Sequence, residues 1–340
     1  MQSLMLKQKL RKMTASGRFA GGVIFKRQER HVTEISLIVP CYNEAQNVDV
    51  FYDRCLQVFE PAEFEVIFVN DGSKDDTYKK LQHLHEEYSN VLVVNFSRNF
   101  GKEAAIYAGL HYATGTYLSI IDADLQQDPE IVKHMTEILE KKPDVDVVAA
   151  YQKQRHEGKF MAWCKDHFYR FINRLSEVDL RENASDFRTF RRNVQEALLD
   201  MPEYFRFSKG LFSWVGFETE YIPYVAAERF AGTTKWSFTK LIKYAMEGVI
   251  SFSTMPLQLA TFCGALVSVF AIVYGIIIIA HTLLTGIDVP GYATTIVVVL
   301  FLGGIQLLVM GILGEYLAKT YIQGKHRPVY VVKKVLEKKE

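Results

Sequence analysis

The sequence predicts an α/β fold in which a mainly parallel sheet is followed by two helices that span a membrane. Apolar, β-branched strand patterns alternate with helical patterns between residues 34 and 150, as in repeated βαβ units. Two later stretches, Gly248–Ile287 and Val289–Gly314, contain no Asp, Glu, Lys or Arg, and a membrane helix needs about 20 apolar residues. The pattern therefore indicates a soluble domain joined to a membrane anchor.

Five strands and four intervening helices are expected in the soluble domain. The strands are predicted at Glu34–Pro40, Phe64–Val69, Val91–Phe96, Tyr117–Ile121 and Val145–Ala150. The helices are predicted at Asn47–Phe59, Asp75–Tyr88, Lys102–Ala113 and Pro129–Lys141. The fourth helix begins with proline, which favours the first turn because it has no N–H to leave unpaired.

Polar side chains follow each of the first four strands, at Tyr42-Asn43-Glu44, Asn70-Asp71, Arg98-Asn99 and Asp122-Ala123-Asp124. The carboxyl ends of parallel strands share one edge of the sheet, and ligands bind there. Ordinary polar turns would give the same residue types, so the observation that predicts a site is their recurrence at four successive strand ends.

The membrane part is predicted to consist of two spans, at about 257–283 and 292–317. Residues 237–254 before them have an amphipathic pattern, which indicates either a helix on the membrane surface or an ordinary surface helix. The resulting division is a basic extension at 1–31, a soluble domain at 32–236, this amphipathic segment, the two spans within 255–318 and a basic tail at 319–340.

Charge around the spans predicts their orientation. The turn between them has no Lys or Arg, whereas both outer flanks are rich in lysine, so the positive-inside rule places both termini in the cytoplasm and the protein in the plasma membrane. The net charge of +1 gives no indication of a nucleic-acid partner. Glycines at 303, 304, 311 and 314 could allow close helix contacts in a homo-oligomer.

The Asp122/Asp124 pair has the chemistry of a cation site. Two neighbouring carboxylates repel each other unless a cation lies between them, and Mg²⁺ or Mn²⁺ would also bind diphosphate oxygens. Gln126 could add a further oxygen, although an acidic turn without metal remains an alternative. Asp71 could bind a base edge or cap the following helix, and Lys102 could reach a phosphate or simply lie exposed.

Several other enzyme classes are disfavoured. The sequence has neither GxGxxG nor GxxxxGK[ST], the signatures of dinucleotide oxidoreductases and P-loop NTPases. Its four cysteines show no CxxC or metal-ligand spacing, so we expect them to be reduced.

The motifs together resemble the family-2 glycosyltransferases with the GT-A fold, a Rossmann-like arrangement. The matching segments are Ile38–Glu44, Val69–Thr77, Ser97–Lys102, Asp122–Glu130, Ser185–Arg188 and Arg229–Trp236, followed by two spans. The subgroup that the chain resembles is the bacterial polyprenyl-phosphate glycosyltransferases of the GtrB type, with dolichyl-phosphate mannose synthase more distant. The QxxRW motif of processive polysaccharide synthases is absent from the sequence.

The resemblance implies a role for each matching residue. The residues expected to hold the nucleoside are Pro40, Tyr42, Glu44 and Asp71, and Lys102 and Asp122 would also bind the nucleotide-sugar. The metal would be held by Asp122, Asp124 and Gln126. The candidate catalytic residues are Asp124 and Asp186, of which Asp186 would act as base or position the acceptor. The acceptor phosphate would be bound by Arg188, Arg229, Lys235 and, less directly, Arg155.

The implied reaction is an inverting, metal-dependent sugar transfer from a nucleotide-sugar to undecaprenyl phosphate. UDP-glucose is the favoured donor, ahead of UDP-GlcNAc and GDP-mannose. The segment Gln127-Asp128-Pro129-Glu130 has one proline fewer than the family often shows at this place, which leaves the sugar open. A different lipid or polysaccharide acceptor, and a membrane scaffold that binds nucleotide-sugar without turnover, remain alternatives.

Overall fold

The computed structural model describes residues 34–60, 63–152, 184–227, 253–285 and 291–338. The chain divides into two compact units. The first contains the described residues up to 227 together with those from His326 onward, and the second contains the two long apolar helices up to Lys325.

The first unit alternates strands and helices. Its strands are β1 (Ile35–Cys41), β2 (Phe64–Asn70), β3 (Val91–Phe96), β4 (Tyr117–Ile120), β5 (Val147–Gln152), β6 (Ala184–Arg191), β7 (Thr219–Tyr224) and β8 (Val332–Leu336). Its helices are α1 (Val48–Val58), α2 (Thr77–Glu87), α3 (Lys102–Tyr112), α4 (Pro129–Lys141), α5 (Arg192–Leu199) and α6 (Ser208–Trp214).

The predicted elements of the first 150 residues are confirmed with shifts of at most two residues at either end. Strands β2 and β3 are buried along their whole length, and β1 is buried except at Pro40. Strands covered on both faces are near-continuous apolar runs of this kind, which explains why their pattern was legible in the sequence.

The sheet has eight strands in the order β7-β5-β6-β4-β1-β2-β3-β8. Strands β4, β1, β2 and β3 are parallel, as predicted. Strand β6 lies between β4 and β5 and is antiparallel to both. The sheet is therefore mixed, and the antiparallel strand carries the Asp186 region to the edge where β4 ends.

The last strand was not anticipated. Strand β8 follows the two apolar helices and pairs antiparallel with β3, so part of the segment predicted as a basic tail belongs to the sheet. Its sequence, Val-Lys-Lys-Val-Leu, has exposed lysines of the kind that protect an edge strand. Tyr330 stacks on Phe96 of β3, with 5.0 Å between the ring centroids.

The second unit consists of α7 (Met255–Thr285) and α8 (Tyr292–Gly324). Both helices contain segments long and apolar enough to cross a membrane, at Met255–Ile278 and Val297–Gly324. Within this unit the Tyr316 hydroxyl donates to the Ser253 carbonyl at 2.7 Å. The amphipathic segment predicted at 237–254 lies almost wholly outside the described residues.

Candidate active site

The strand register brings two predicted acidic residues together. Ile120 of β4 is paired with Arg188 of β6 in antiparallel register. Continuing that register by two residues places Asp186 opposite Asp122, although 64 positions separate them in the sequence (186 − 122). The start of β6 therefore lies at the carboxyl end of β4.

Lys102 joins these two carboxylates. It begins α3, and its Nζ lies 2.7 Å from Oδ1 of Asp122 and 3.4 Å from Oδ2 of Asp186. Desolvation lowers the pKa of this ammonium, but the charges of Asp122 and Asp186 outweigh it and raise the pKa. A cation between the two carboxylates is thus a built-in feature of the site.

Asp186 is held in its charged form. Burial raises the pKa of its carboxyl, but Lys102, then Lys209 and Arg188, outweigh burial and lower the pKa below its ordinary value. Its Oδ1 atom is buried and accepts no hydrogen bond from the part of the chain that the structure describes. The other oxygen, Oδ2, is the one that faces Lys102.

The loop that carries Asp124 is tied to the end of β7. Oδ1 of Asp124 accepts the Gln126 backbone N–H at 3.2 Å, and the Gln126 carbonyl accepts the Ala227 N–H at 3.2 Å. Leu125 between them has a φ of 60°, in the left-handed region that non-glycine residues seldom adopt. The loop is thus locally constrained where the carboxylates are presented.

Gln127, which was not among the predicted site residues, contacts the first aspartate. Its Oε1 accepts the Asp122 backbone N–H at 3.0 Å, while its Nε2 lies 3.4 Å from Oδ2 of Asp122 and 3.5 Å from the Ser185 hydroxyl. The Gln126 side-chain amide lies instead 3.5 Å from the Ala227 carbonyl. Gln127 was overlooked because adjacent identical amides give no sequence signal of which one faces inward.

The predicted nucleoside residues lie at the ends of β1 and β2. Pro40 is a half-buried residue near the end of β1, and Tyr42 and Glu44 follow it half-buried. The Glu44 backbone N–H donates to the Thr77 hydroxyl at 2.8 Å, and its carboxylate accepts from the Asn47 side chain at 2.5 Å. This side of the site is therefore held by α1 and α2.

The Asp71 carboxylate is hydrogen-bonded to the loop before α3. Its carboxylate oxygens accept the backbone N–H groups of Phe100 at 2.6 Å and Gly101 at 2.9 Å. Burial raises its pKa, and these two amides oppose that rise. This geometry differs from a cap on the following helix, because the carboxylate holds the loop that leads into a different helix. The predicted contact with a base stays a prediction.

Arg188 is buried at the base of the cluster. Its guanidinium lies 4.2 Å from the centre of the Phe212 ring, and its Nη2 donates to the Ser185 carbonyl at 2.9 Å. Only 5% of Arg188 is exposed. The remaining predicted phosphate ligands, Arg155, Arg229 and Lys235, lie outside the described residues.

Comparison with known proteins places this site in a family. Residues 36–199 match the model of glycosyl transferase family 2, and residues 255–320 match that of the GtrB C-terminal hairpin. An Escherichia coli K12 protein described as a prophage bactoprenol glucosyl transferase homolog is 41% identical over 304 residues, which cover 89% of this chain and 99% of that protein.

The chain belongs to glycosyltransferase family 2. A bactoprenol glucosyl transferase of Shigella phage SfV is also 41% identical, over 90% of this chain and 100% of the relative. The putative glycosyltransferase CsbB of Bacillus subtilis is 42% identical, over 88% and 91%. The GT-A fold and the glycosyltransferase activity predicted from the sequence are thereby confirmed.

A solved structure related at lower similarity is the mannosyltransferase PcManGT of Pyrobaculum calidifontis in complex with GDP-Man and Mn²⁺. It is 17% identical over 94% of this chain and 91% of its own, with a TM-score of 0.46.

Part of this glycosyltransferase's site lies beyond the matched segment of family 2. Tyr224 of β7 is buried and hydrogen-bonds Ser185 and Gln127; burial raises its pKa, and those bonds oppose the rise. On α6, the backbone N–H of Ser208 donates to Glu103 at 2.9 Å, across 105 residues of sequence. Such long-range contacts left no local signal in the sequence.

Proposed function

We propose that this glycosyltransferase moves glucose from a nucleotide-sugar to a polyprenyl phosphate. The observation that carries the proposal is the pairing of Asp122 with Asp186 through Lys102, which joins the donor side of a family-2 site to the residue expected to face the acceptor. The bactoprenol glucosyl transferases similar over nearly the whole chain support the choice of sugar and lipid.

The donor is proposed to be UDP-glucose, with UDP-GlcNAc and GDP-mannose as the alternatives to be tested. Pro40, Tyr42 and Glu44 would line the nucleoside pocket. Asp71 would shape that pocket by fixing the Phe100–Gly101 backbone, and a carboxylate has lone pairs left for a base N–H after accepting two hydrogen bonds.

A divalent metal, Mg²⁺ or Mn²⁺, is proposed at Asp122 and Asp124. Among the described residues, no three His, Cys, Asp or Glu side chains gather into a ligand set. Two carboxylates nevertheless fit a hard cation that takes its remaining oxygens from diphosphate and water. When bound, the ion would neutralise the charge that develops on the leaving nucleoside diphosphate. Gln126 would join this set by turning from the Ala227 carbonyl.

The proposed chemistry is a single displacement. A phosphate oxygen of the acceptor attacks the anomeric carbon, the bond from that carbon to the diphosphate breaks, and the nucleoside diphosphate leaves with the electron pair. Because the lipid phosphate is anionic near neutral pH, alignment of two bound phosphates contributes more than deprotonation does. Asp186, kept ionised by its cationic neighbours, would orient the acceptor or accept its remaining proton.

The acceptor phosphate is proposed to meet a cationic group of side chains. Arg229 and Lys235, with Arg155 less directly, would contact it from the segments outside the described residues. Arg188 is packed on Phe212, so we propose that its positive charge attracts the acceptor phosphate without direct contact. Arginine suits this task because its planar fork matches phosphate oxygens.

Both flanks of the hairpin are proposed to lie in the cytoplasm. Strand β8, after the two helices, pairs with β3, before them, and both belong to one folded unit. Two crossings return a chain to the side from which it started, and the lysine-rich flanks favour the cytoplasmic side.

The test is a transfer assay with purified full-length protein, Mg²⁺ or Mn²⁺, undecaprenyl phosphate and each labelled nucleotide-sugar. We expect an acid-labile labelled lipid from UDP-glucose. Asp124→Ala and Asp186→Asn should each lower kcat/KM on the order of a hundredfold or more, because each removes charge that stabilises the transition state.

The matched control is Asp76→Asn, which alters an exposed carboxylate paired with Lys79 on α2 and should leave the rate unchanged. Label in another lipid or polymer would replace the proposed acceptor. Nucleotide-sugar binding without any turnover would favour the scaffold alternative. Near-normal rates in both site variants would remove the assigned roles.

A further inference from the structure

Helix α6 is fixed beside the active site by contacts on two sides. At its start, the half-buried Glu103 carboxylate accepts both the backbone N–H and the hydroxyl of Ser208. Glu103 directly follows Lys102, the residue that bridges Asp122 and Asp186. The beginning of α6 is therefore connected to the site through two consecutive residues of α3.

The second side of α6 packs on β6, the strand that carries Asp186. The Phe212 ring lies under the Arg188 guanidinium and makes an edge contact with Phe190, with ring centroids 5.0 Å apart. Both contacts are buried. A side chain near the start of α6 is consequently carried on a backbone that is fixed against the strand bearing Asp186.

Lys209 is that side chain. It is half-buried, and its charge acts on Asp186, second among the cations after Lys102. Within the part of the chain that the structure describes, the Lys209 ammonium forms no ion pair within 4.0 Å. Lys209 thus lies on the Asp186 side of the site, and its ammonium is not neutralised there by an ion pair with a described carboxylate.

We propose that Lys209 is an additional phosphate-binding residue of this enzyme, contacting either the diphosphate of the donor or the phosphate of the acceptor. The proposal rests on the sugar transfer proposed above. Both substrates bring phosphate oxygens to the space beside Asp186, and an ammonium binds such oxygens as a compact point charge. Glu103 and Phe212 are the positioning residues that hold α6, and hence Lys209, in place.

The experiment measures binding rather than turnover, so that it stands apart from the transfer assay. Calorimetry on the full-length protein in detergent would give Kd for UDP with Mg²⁺, and separately for farnesyl phosphate, a short water-soluble polyprenyl phosphate. Lys209→Met should weaken one of the two by about tenfold or more, the loss expected for one charge-assisted hydrogen bond. Weaker UDP binding assigns Lys209 to the donor, and weaker farnesyl phosphate binding assigns it to the acceptor.

Two variants complete the design. Lys209→Arg should retain most of the affinity because it keeps the charge. Lys133→Met, which removes an exposed lysine of α4, should change neither Kd. If thermal unfolding shows that Lys209→Met does not fold, Lys209→Gln takes its place.

Values of Kd within twofold of wild type for both ligands in the folded variant would overturn the proposal. That result would leave Lys209 with a purely structural role. A wild-type protein that binds UDP but makes no lipid-linked sugar would instead refute the proposed function, while the UDP arm still decides whether Lys209 contacts the donor phosphates.

Discussion

At the scale of single residues, the structure shows how environment sets charge. Asp71 is a buried acid and Asp186 a half-buried one, yet their pKa values move in opposite directions. Burial dominates at Asp71, although the Phe100 and Gly101 amides and the charge of Arg98 oppose it, whereas Lys102 and two further cations overcome burial at Asp186. The surrounding cations therefore favour the charged form of Asp186.

His111 allows a residue-scale prediction about pH. It lies against Tyr107, with ring centroids 4.8 Å apart, and burial, followed by the charge of Arg206, lowers its pKa to about 4. Between pH 6.5 and 4 the unfolded chain binds a proton that the folded chain excludes, so stability falls as the pH falls through this window. The contribution at stake is roughly 3 kcal/mol.

The measurement is thermal unfolding of wild type and His111→Gln at pH 7 and at pH 4.5. The variant should lose less stability than wild type over this interval, since both proteins share the same acids and differ only in the imidazole. Equal losses in the two proteins would show that His111 is readily protonated in the folded state.

At the scale of elements, β8 is joined to the sheet by more than its backbone ladder. Lys338, just past β8, forms an ion pair with Glu65 of β2, whose side chain is fully buried. The same carboxylate accepts from the Ser36 hydroxyl at 2.5 Å and the Thr114 N–H at 2.6 Å. The buried Glu65 charge of β2 is thus contacted by residues of β1, of the α3–β4 loop and of the segment after β8.

Lys338→Met should destabilise the first unit by about 3–5 kcal/mol, because it leaves the Glu65 carboxylate buried without a counter-charge. The transition temperature measured by thermal unfolding should fall by about 10 °C. The control Lys334→Met removes an exposed lysine from β8 itself and should have little effect. Adding Glu65→Gln to Lys338→Met should recover stability; no recovery would mean that the charge is not the cause.

At the scale of the whole molecule, the membrane hairpin is an insertion within the sequence of a single folded unit. Strands β1 to β7 precede it and β8 follows it. The polypeptide must therefore leave the first unit, form both apolar helices and return. This connectivity favours two membrane crossings over one, and it makes the C-terminal strand part of the catalytic domain rather than a tail.

Labelling from either side of the membrane tests this connectivity. Single cysteines at Glu130→Cys on α4 and Glu337→Cys after β8 should react with an impermeant maleimide only in inside-out vesicles. Asp288→Cys, between the two helices, should react only in intact spheroplasts. Native Cys41 and Cys55 are buried whereas Cys263 of α7 is exposed, so the wild-type protein is labelled in parallel to measure the background of the native cysteines. Reaction of the first two variants from opposite sides would contradict a two-span hairpin.

The central sheet and the membrane helices could be predicted because each carries its own periodic pattern. Strands β1 to β5 are short apolar runs separated by polar turns, and α7 and the part of α8 before Glu315 are long runs without Asp, Glu, Lys or Arg. Asp122 and Asp124 could be recognised as site residues because an apolar strand pattern immediately precedes them. Strand β8 was missed because two lysines interrupt its apolar pattern and because Val332 pairs with Phe96, which lies 236 residues earlier (332 − 96).

The sequence alone thus determined the α/β class, the two apolar helices, the enzyme family and the identity of the acidic strand ends. Only the tertiary structure decided which residues meet there: Lys102 between Asp122 and Asp186, Gln127 beside Asp122, and α6 anchored on Glu103. The physical reason is that the periodic burial of a strand or helix appears as a pattern of apolar residues close together in the sequence. Contacts across the sheet depend instead on strand order and register, which no local pattern specifies.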